Sequence, residues 1–342
     1  MTLEFDCPAP SGRHEHIILG HGSGGKLGAD LVARMFLSVF GNAAEDAAAC
    51  AGAGRLAFTT DAFVVRPIFF PGGDIGRLAI AGTVNDLAVS GALPRYVSAA
   101  FILEEGLAMA DLERIVASMR ATCEEAGVVL VAGDTKVVDR GKGDRVFITT
   151  SGIGFLPQGR ALSISAAQPG DRVLVSGTLG DHGIAILSQR EGLEFDTALT
   201  SDVQPLADLA QAILQTCSSV RCMRDPTRGG LAGVLHDLAT ASRVGVRLHE
   251  QAVPLAPAVR AACELLGLDP LHVASEGRLV AVAPADEAEG LLAAMRRHPR
   301  GRESAIVGEV VADHAGTVVL RSRIGGERVV RPLAGEQLPR IC

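Results

Sequence analysis

Residues 76–103 read GRLAIAGTVNDLAVSGALPRYVSAAFIL and contain two kinds of secondary structure in a single stretch. The part from Gly76 to Gly91 predicts a helix. Its packing face is formed by Leu78, Ala79, Gly82 and Leu87. The part at 96–103, YVSAAFIL, is apolar and aromatic, and it predicts a strand. A helix followed by a strand is a building unit of layered α/β folds.

The alternation also extends upstream of this stretch. Residues 17–28, IILGHGSGGKLG, predict a short strand that enters a glycine-rich loop, and a helix is expected at about 29–39. The segment RLAFTTDAF at 55–63 predicts a strand that ends in an acidic loop. The first residues, 1–16, are polar and aperiodic, and we expect a mobile leader there.

Downstream, apolar residues at helical spacing predict a helix at 111–126, with Asp111 as its N-cap. Val128–Ala132 predicts a buried strand that runs into the loop Gly133–Lys136, and another strand is expected at 145–155. These elements complete the first half of the chain.

A turn at Pro169-Gly170-Asp171 separates the first half from a second one. In the second half, Asp225 and Pro226 are expected to open a helix as N-cap and first-turn residue. The other expected elements are strands at 172–176, 244–248, 278–283, 305–311 and 316–321 and helices at 181–190, 203–216 and 285–297. We therefore predict two α/β or mixed α+β domains, at 17–156 and 157–330, and a flexible tail at 331–342.

Composition narrows the function classes. The chain has 342 residues and a formal charge of −7, and a negative charge disfavours binding to a phosphate backbone. Aromatic residues make up 4% with no Trp, so few side chains could stack on bases. Both properties argue against nucleic-acid binding. The N-terminus lacks a secretory signal pattern, and no apolar stretch reaches the roughly 18 residues that a membrane span needs. The seven Cys include no CxxC pair, which favours reduced thiols and a cytoplasmic protein.

The loop Gly22-Ser23-Gly24-Gly25-Lys26 could surround a phosphate, because glycines let main-chain N–H groups approach an anion and a lysine adds positive charge. Its spacing is neither that of a Walker A motif nor that of GxGxxG. A flexible turn is the alternative interpretation.

Acidic residues recur beside predicted element ends in the first half. They are Asp61, Asp86 and Asp134. Mg²⁺ prefers a few carboxylates together with phosphate oxygens and water, so their joint placement suggests a metal site. Each one taken singly is also typical of a cap or turn.

Three further features could carry chemistry. The turn Asp225–Gly230 includes Arg228, which could face an anion, or it could be an ordinary helix start. Glu276 is a candidate general base or a solvated turn residue. Cys342, the last residue of the sequence, would present a nucleophilic thiolate on a mobile arm, or it is an incidental residue of a frayed end.

Taken together, these segments resemble the PurM-like (aminoimidazole ribonucleotide synthetase-like) ATP-binding superfamily and, within it, the HypE family of hydrogenase maturation proteins, the carbamoyl dehydratases. The resemblance covers about residues 18–342. It is carried by LGHGSGGKL, TTDAFVV, FFPGGDIGRLAIAGTVNDLAVSGALP, VAGDTKVV, RDPTRGGLA, ASEGRLV and the terminal PRIC, which is the discriminating segment. Ser275 stands where many relatives have Asn.

This resemblance implies a fold and an activity. The fold is a two-domain PurM-like architecture whose N-terminal sheets pair in a homodimer. The activity is ATP-dependent dehydration of an S-carbamoyl group on Cys342 to a thiocyanate, after loading by a HypF-type carbamoyltransferase. Cyanide would pass to a HypC–HypD complex for [NiFe]-hydrogenase iron. The alternatives are a small-molecule ATP-dependent synthetase or kinase of the same fold, and a carrier whose tail cysteine a partner modifies.

The resemblance also implies roles for residues. Glu276 and Lys136 would lie near the carbamoyl group, with Glu276 as proton acceptor, and Pro339 and Arg340 would steer the tail. The residues expected to bind ATP are Gly22, Ser23, Gly24, Gly25, Lys26, Asn85, Thr135 and Arg228. Mg²⁺ would be held by Asp61, Asp86 and Asp134.

Overall fold

The computed structural model describes residues 14–18, 31–40, 54–159, 162–192, 199–331, 338 and 341–342. The expected leader up to residue 13, the loop Gly22–Lys26, and Pro339 and Arg340 lie outside these described residues, as do Cys7 and Cys50.

The strands of the described residues form three sheets. They are β1 (Arg55–Phe63), β2 (Phe69–Phe70), β3 (Gly73–Asp74), β4 (Leu93–Glu104), β5 (Val129–Val138), β6 (Val146–Leu156), β7 (Arg172–Val175), β8 (Cys222–Arg224), β9 (Gly245–His249), β10 (Val280–Ala283), β11 (Ala305–Val311), β12 (Val318–Arg321) and β13 (Glu327–Val330).

Helices alternate with these strands along the described chain. The α-helices of more than one turn are α1 (Ile75–Val89), α2 (Met109–Ala126), α3 (Asp181–Glu191), α4 (Ala207–Thr216), α5 (Gly230–Ser242), α6 (Pro257–Leu266) and α7 (Ala285–Arg297). Short helical segments are Val32–Leu37, Ser38–Phe40, Glu250–Ala252, Pro270–His272 and Pro299–Gly301.

The first half contains a four-stranded sheet in the order β1-β6-β4-β5. Its pairs are antiparallel except β4 with β5, which run parallel. Helix α1 packs against α2 and against strands of this sheet, so one face is covered. The other face is open along β1, where Leu56 and Phe58 are exposed.

The second half contains a seven-stranded sheet in the order β13-β12-β9-β11-β7-β10-β8. Alternate residues of β7 enter different cores, as the two-residue period of a strand requires. Val173 belongs to a buried cluster with Leu235 of α5, whereas Leu174 belongs to a cluster with Leu209 of α4 and Leu291 of α7. Helices therefore cover both faces of this sheet.

Helix α1 links the two halves. The Asp74 carboxylate accepts hydrogen bonds from the main-chain N–H groups of Gly76 and Arg77 and so caps the helix start. The helix also packs against α4 and β8 of the second half. Residues 83–89 of α1 are buried except Asp86, which is half-buried.

Three local expectations from the sequence are corrected. The expected loop Gly133–Lys136 is part of β5, which pairs with β4 as far as Val138. Helix α2 begins at Met109, and Asp111 forms an ion pair with Arg145 instead of capping it. Helix α5 begins at Gly230 with Gly229 as N-cap, so Asp225 does not open it.

Within the described residues, no helix is both long and apolar enough to cross a bilayer.

Candidate active site between the two halves

A cavity of about 730 Å³ lies between the halves and is lined by both of them. Strand β1 and helix α1 contribute one wall, and the turn before α5, the start of α5 and Glu276 contribute the other. The polar and charged residues along it are Thr60, Asp61, Asp86, Arg224, Asp225, Thr227, Arg228, Asp237, His272 and Glu276. The end of the chain, through Leu338, Ile341 and Cys342, lines the same cavity.

Asp61 and Asp86 face this cavity from neighbouring elements. Asp61 lies near the end of β1, and Asp86 lies in the last turn of α1. Asp86 Oδ2 accepts a hydrogen bond from Thr59 Oγ1 at 2.8 Å. Burial raises the pKa of both carboxyl groups, and the negative charge of Asp61 raises the pKa of Asp86 further. A cation placed between them would relieve this repulsion.

Asp225 adds a third carboxylate that the sequence analysis assigned to a helix cap. Desolvation, followed by the charge of Asp86, raises the pKa of Asp225 to about 7. The turn that replaces the expected helix start brings this side chain to the cavity, next to Arg224 and Arg228. The positive charge of Arg228, which lines the same cavity, acts to lower the pKa of both Asp61 and Asp86 and so opposes the effect of burial.

Glu276 is buried in the cavity wall, with 3% of its surface exposed. Among the described residues, its Oε1 atom has no hydrogen-bond partner. Burial first, and then the charges of Asp225 and Asp202, raise the pKa of Glu276 well above its ordinary value. A buried carboxyl oxygen without a partner is costly unless a ligand or proton satisfies it. Such a group is typical of a catalytic acid or base.

Asp202 fixes the main chain at Glu276. Its Oδ1 accepts the Glu276 N–H at 3.0 Å, and its Oδ2 lies 3.5 Å from Arg278 Nε. Gly277 allows this approach, because a Cβ at that position would lie 1.8 Å from the Asp202 carbonyl oxygen. Burial raises the pKa of Asp202 to about 6, although Arg278 opposes the shift. No local pattern in the sequence indicates this support, because Asp202 and Glu276 are 74 positions apart.

The last residues of the chain are docked against both halves. The Val64 N–H donates to the Cys342 carbonyl oxygen at 3.1 Å. Ile341 is 8% exposed and belongs to the core cluster that includes Phe63 and Ile186. Cys342 itself is half-buried and lines the cavity. The thiol-bearing residue and the cavity carboxylates therefore share one compartment.

Family models and similar proteins identify this arrangement. The chain matches the N-terminal domain of AIR synthase related proteins at residues 44–156 and the C-terminal domain at 168–321. It is 54% identical to the carbamoyl dehydratase HypE of Cupriavidus necator over 332 residues, which cover 95% of each chain. This chain belongs to the HypE family of hydrogenase maturation proteins.

Solved structures of HypE proteins have the same fold. A HypE crystal structure in complex with ATP superposes with a TM-score of 0.92 at 47% identity, covering 95% of this chain and 99% of the other. The HypE of a solved HypE–HypF complex superposes with a TM-score of 0.79 at 48% identity, covering 81% and 90% of the two chains. The predicted PurM-like α/β architecture is thereby confirmed.

Not every residue singled out in the sequence reaches the cavity of this HypE family member. Asp134, Thr135 and Lys136 lie on β5, at the opposite edge of the sheet from β1. Lys136 Nζ is paired with Asp134 Oδ2 at 2.7 Å, and both side chains are more than half exposed. Within one chain, the structure thus does not place Asp134 with Asp61 and Asp86, nor Lys136 beside Glu276.

Asn85 is likewise placed in the junction between the halves of the HypE fold and not at the cavity surface. It is 1% exposed, and its amide group makes hydrogen bonds to the main chain of Gln204, Leu206 and Glu276. In the described residues, these hydrogen bonds tie helix α1 to the second half, and a nucleotide contact by Asn85 stays a prediction. Arg228 lines the cavity, as its position in the turn suggested.

Proposed function

We propose that this chain is an ATP-dependent carbamoyl dehydratase that converts an S-carbamoyl group on Cys342 into a thiocyanate. The observation that carries this proposal is the position of Cys342, which lines the same cavity as Asp61, Asp86, Asp225 and Glu276. The family supports the reaction class, because the similar HypE proteins are named carbamoyl dehydratases. The use of ATP is supported by the solved HypE complex with ATP.

The chemistry needs the carbamoyl oxygen to become a leaving group. The oxygen attacks the γ-phosphate of ATP, the bond to ADP breaks, and one N–H proton is lost to give an S-bound iminophosphate. The second N–H proton is then removed while the C–O bond breaks, releasing phosphate and leaving S–C≡N. The group on sulfur loses the elements of one water, whose oxygen leaves in phosphate. Catalysis of this kind depends on positioning and on stabilising charge.

The cavity also suits Mg²⁺ with the nucleotide. Mg²⁺ is commonly bound through one or two carboxylates plus phosphate oxygens and water, and it neutralises phosphate charge. Asp61 and Asp86 have carboxylates whose pKa values are raised by burial, so they lack sufficient cationic compensation. Among the described residues, no group of three or more acidic, His or Cys side chains forms a metal site alone. We therefore assign the ion to Asp61 and Asp86, with phosphate completing its shell.

Glu276 is proposed as the proton acceptor. It is buried next to the carboxylate cluster, and its unpaired Oε1 is available to an N–H group. A cation at Asp61 and Asp86 would offset the charges that raise its pKa and so favour the basic form. Arg228 would contact nucleotide phosphate from the rim of the cavity.

The proposed partners are other maturation proteins, suggested by the family, and a second copy of this chain, suggested by the open face of the N-terminal sheet. The solved HypE–HypF complex supports a HypF-type carbamoyltransferase as the enzyme that loads Cys342. A HypC–HypD complex as acceptor of the cyanide belongs to the same proposal. A homodimer through the N-terminal sheet is supported by its open face, where Leu56 and Phe58 are 58% and 68% exposed.

Intact-mass measurement tests the proposal. The protein is carbamoylated by its HypF-type partner, purified, and incubated with Mg²⁺ and ATP. We expect the adduct on Cys342 to lose the mass of one water only when both are present. Cys342→Ser should accept no adduct that survives purification. An adduct whose mass stays unchanged with ATP would instead support a carrier.

A second arm separates this reaction from a small-molecule synthetase or kinase. In such an enzyme, Cys342→Ala would keep full ATP turnover with the small molecule and full maturation of hydrogenase. We expect Cys342→Ala to abolish maturation, because the carbamoyl group then has no sulfur to occupy.

A further inference from the structure

A buried histidine of the second half holds the end of the chain. His182 lies in the first turn of α3 and is fully buried. Its Nε2 lies 2.6 Å from the Ile341 carbonyl oxygen, and its Nδ1 lies 2.7 Å from Ser201 Oγ. A carbonyl oxygen only accepts hydrogen bonds, so Nε2 carries the hydrogen. Nδ1 is then an acceptor for the Ser201 hydroxyl.

The hydrogen bonds around His182 form a series in which each group donates to the next. The Val203 N–H donates to Ser201 Oγ at 3.1 Å, the Ser201 hydroxyl donates to His182, and His182 donates to Ile341. Burial lowers the pKa of His182 to about 4, which gives the neutral ring with one donor and one acceptor that this chain requires. The ring of Phe70 packs edge-on against the imidazole, with 5.5 Å between the two ring centroids, and limits the rotation of the imidazole.

We propose that His182 is a positioning residue that docks the tail, so that Cys342 reaches the cavity in one defined geometry. This inference rests on the proposed function, since it assigns a purpose to the docking of Cys342. The last two residues of the chain are fixed from opposite sides: His182 holds Ile341 from the second half, and Val64 holds the Cys342 carbonyl from the first. Cys342 lines the cavity that also holds Asp61, Asp86 and Glu276, and it packs against the core cluster beside Ile341.

The loop that orients His182 also orients the proposed base. Ser201 fixes the histidine tautomer, and the adjacent Asp202 accepts the Glu276 N–H at 3.0 Å. The Ser201 N–H in turn donates to the Pro71 carbonyl of the first half at 2.8 Å. One dipeptide thus sets the position of both the tail and Glu276, which must meet at the same carbamoyl nitrogen.

Substitutions at His182 can separate docking from mere packing. In His182→Gln the amide nitrogen takes approximately the place of Nε2 and can still donate to Ile341. In His182→Asn the shorter side chain reaches Ser201 but not Ile341. His298→Asn is the matched control, because His298 is half-buried beside Pro299–Gly301 and bonds the Arg300 N–H, away from the tail.

The first readout needs neither ATP nor a carbamoyl group. Full-length protein is treated with iodoacetamide, and alkylation of Cys342 is followed by peptide mass spectrometry. Loss of a hydrogen bond that leaves a buried carbonyl unpaired corresponds to about a tenfold change in the docked population. We expect Cys342 of His182→Asn to be alkylated about tenfold faster than in the wild type, His182→Gln to restore slow alkylation, and His298→Asn to match the wild type.

The second readout is the dehydration rate of the carbamoylated protein. His182→Asn should lower the maximal rate, by at most about the tenfold loss of docking equilibrium, with an unchanged ATP concentration at half-maximal rate, and His182→Gln should recover the rate. A folded His182→Asn, with the wild-type unfolding midpoint and wild-type alkylation of Cys342, would overturn the proposal.

Two further outcomes remain decisive. If His182→Asn does not fold, Ser201→Ala is measured in its place. It removes the hydroxyl that fixes the tautomer without changing the buried ring, and alkylation no faster than in the wild type would overturn the proposal. If wild-type protein fails to dehydrate its adduct, the proposed function fails, whereas the alkylation rates still decide whether His182 docks the tail.

Discussion

The side-chain amide of Asn85 in α1 donates a hydrogen bond to the main-chain carbonyl of Glu276, with an Nδ2–O distance of 3.1 Å. The same amide nitrogen donates to the Gln204 carbonyl at 3.1 Å, and its oxygen accepts the Leu206 N–H at 2.7 Å. One buried side chain of the first half thus satisfies three main-chain groups of the second. The wall that carries Glu276 is fixed to the wall that carries Asp86.

Asn85→Ala should destabilise the protein by about 3 kcal/mol, because three buried main-chain groups lose their partners at roughly 1 kcal/mol each. Urea unfolding followed by circular dichroism measures this difference. Ser90→Ala is the control at the end of the same helix, since its hydroxyl bonds only the Leu87 carbonyl, and it should cost about 1 kcal/mol. Equal stability of Asn85→Ala and wild type would contradict the role of this amide.

Gly277→Ala should destabilise the protein by more than about 3 kcal/mol, because the new Cβ would lie 1.8 Å from the Asp202 carbonyl oxygen. Gly290→Ala is its matched control: nothing lies within 4 Å of a Cβ there, and alanine is favoured over glycine inside helix α7. The control should gain up to about 1 kcal/mol in guanidinium unfolding. A tolerated Gly277→Ala would show that Asp202 and Glu276 do not need this close approach.

The buried carboxyl of Asp202 should make stability fall as pH rises. Its pKa of about 6 in the folded protein exceeds the ordinary value of 3.8, so the folded state holds a proton that the unfolded state has released between these values. The contribution is present below about pH 4 and is lost as pH rises through 6, at about 1.4 kcal/mol for each pH unit between the two pKa values.

Asp202→Asn should therefore flatten the unfolding free energy between pH 4 and pH 6, while its amide oxygen still accepts the Glu276 N–H. Urea titrations at intervals of pH supply the measurement. The exposed Asp313→Asn provides the control and should leave the slope as in the wild type. An identical slope in all three proteins would exclude this assignment.

Asp86→Asn should weaken Mg-ATP binding by about tenfold or more, which is ~1.4 kcal/mol, because one carboxylate of the proposed ion site is lost. Without ligand, the same variant should unfold at the wild-type temperature or above, since its charge no longer repels Asp61. Differential scanning fluorimetry with and without Mg-ATP gives both numbers. A variant that keeps the full ligand-induced shift would remove Asp86 from the site.

Phe58→Asp should convert the proposed homodimer into a monomer, because it places a charge among the exposed apolar residues of the open sheet face along the edge strand β1. Sedimentation velocity over a range of concentrations detects the change. Ile324→Asp serves for comparison: Ile324 is 97% exposed in the turn between β12 and β13, and the variant should sediment like the wild type. A Phe58→Asp dimer would locate self-association elsewhere.

Local patterns were sufficient for elements whose signal lies within one segment. Helices α1 and α7 and strands β1 and β11 were expected within one or two residues of their observed bounds, since apolar spacing and caps are local properties. Asp61 and Asp86 belong, with Asp134, to the set of acids that the sequence indicates for a similar reason: each lies beside a clear element and all three occur in one domain.

Contacts between distant segments leave no local pattern in the sequence. The order β1-β6-β4-β5, which separates Asp134 and Lys136 from Asp61, is set by tertiary pairing and not by spacing along the chain. Asp225 has the local pattern of a helix cap, and only the contact between the halves places it beside Asp86. His182 belongs to no local motif of helix α3 and gives no signal in the sequence, because its partner Ile341 is 159 positions away.

Because each wall of the cavity comes from a different half, neither half holds a complete set of reacting groups. Separate expression of the segments before and after the turn at residues 169–171 would divide Asp61 and Asp86 from Asp225, Glu276 and Cys342. Dehydration regained on mixing two such fragments would report their re-association, to which the buried hydrogen bonds of Asn85 contribute. Titrating one fragment with the other would then measure the affinity of the interface between the two halves.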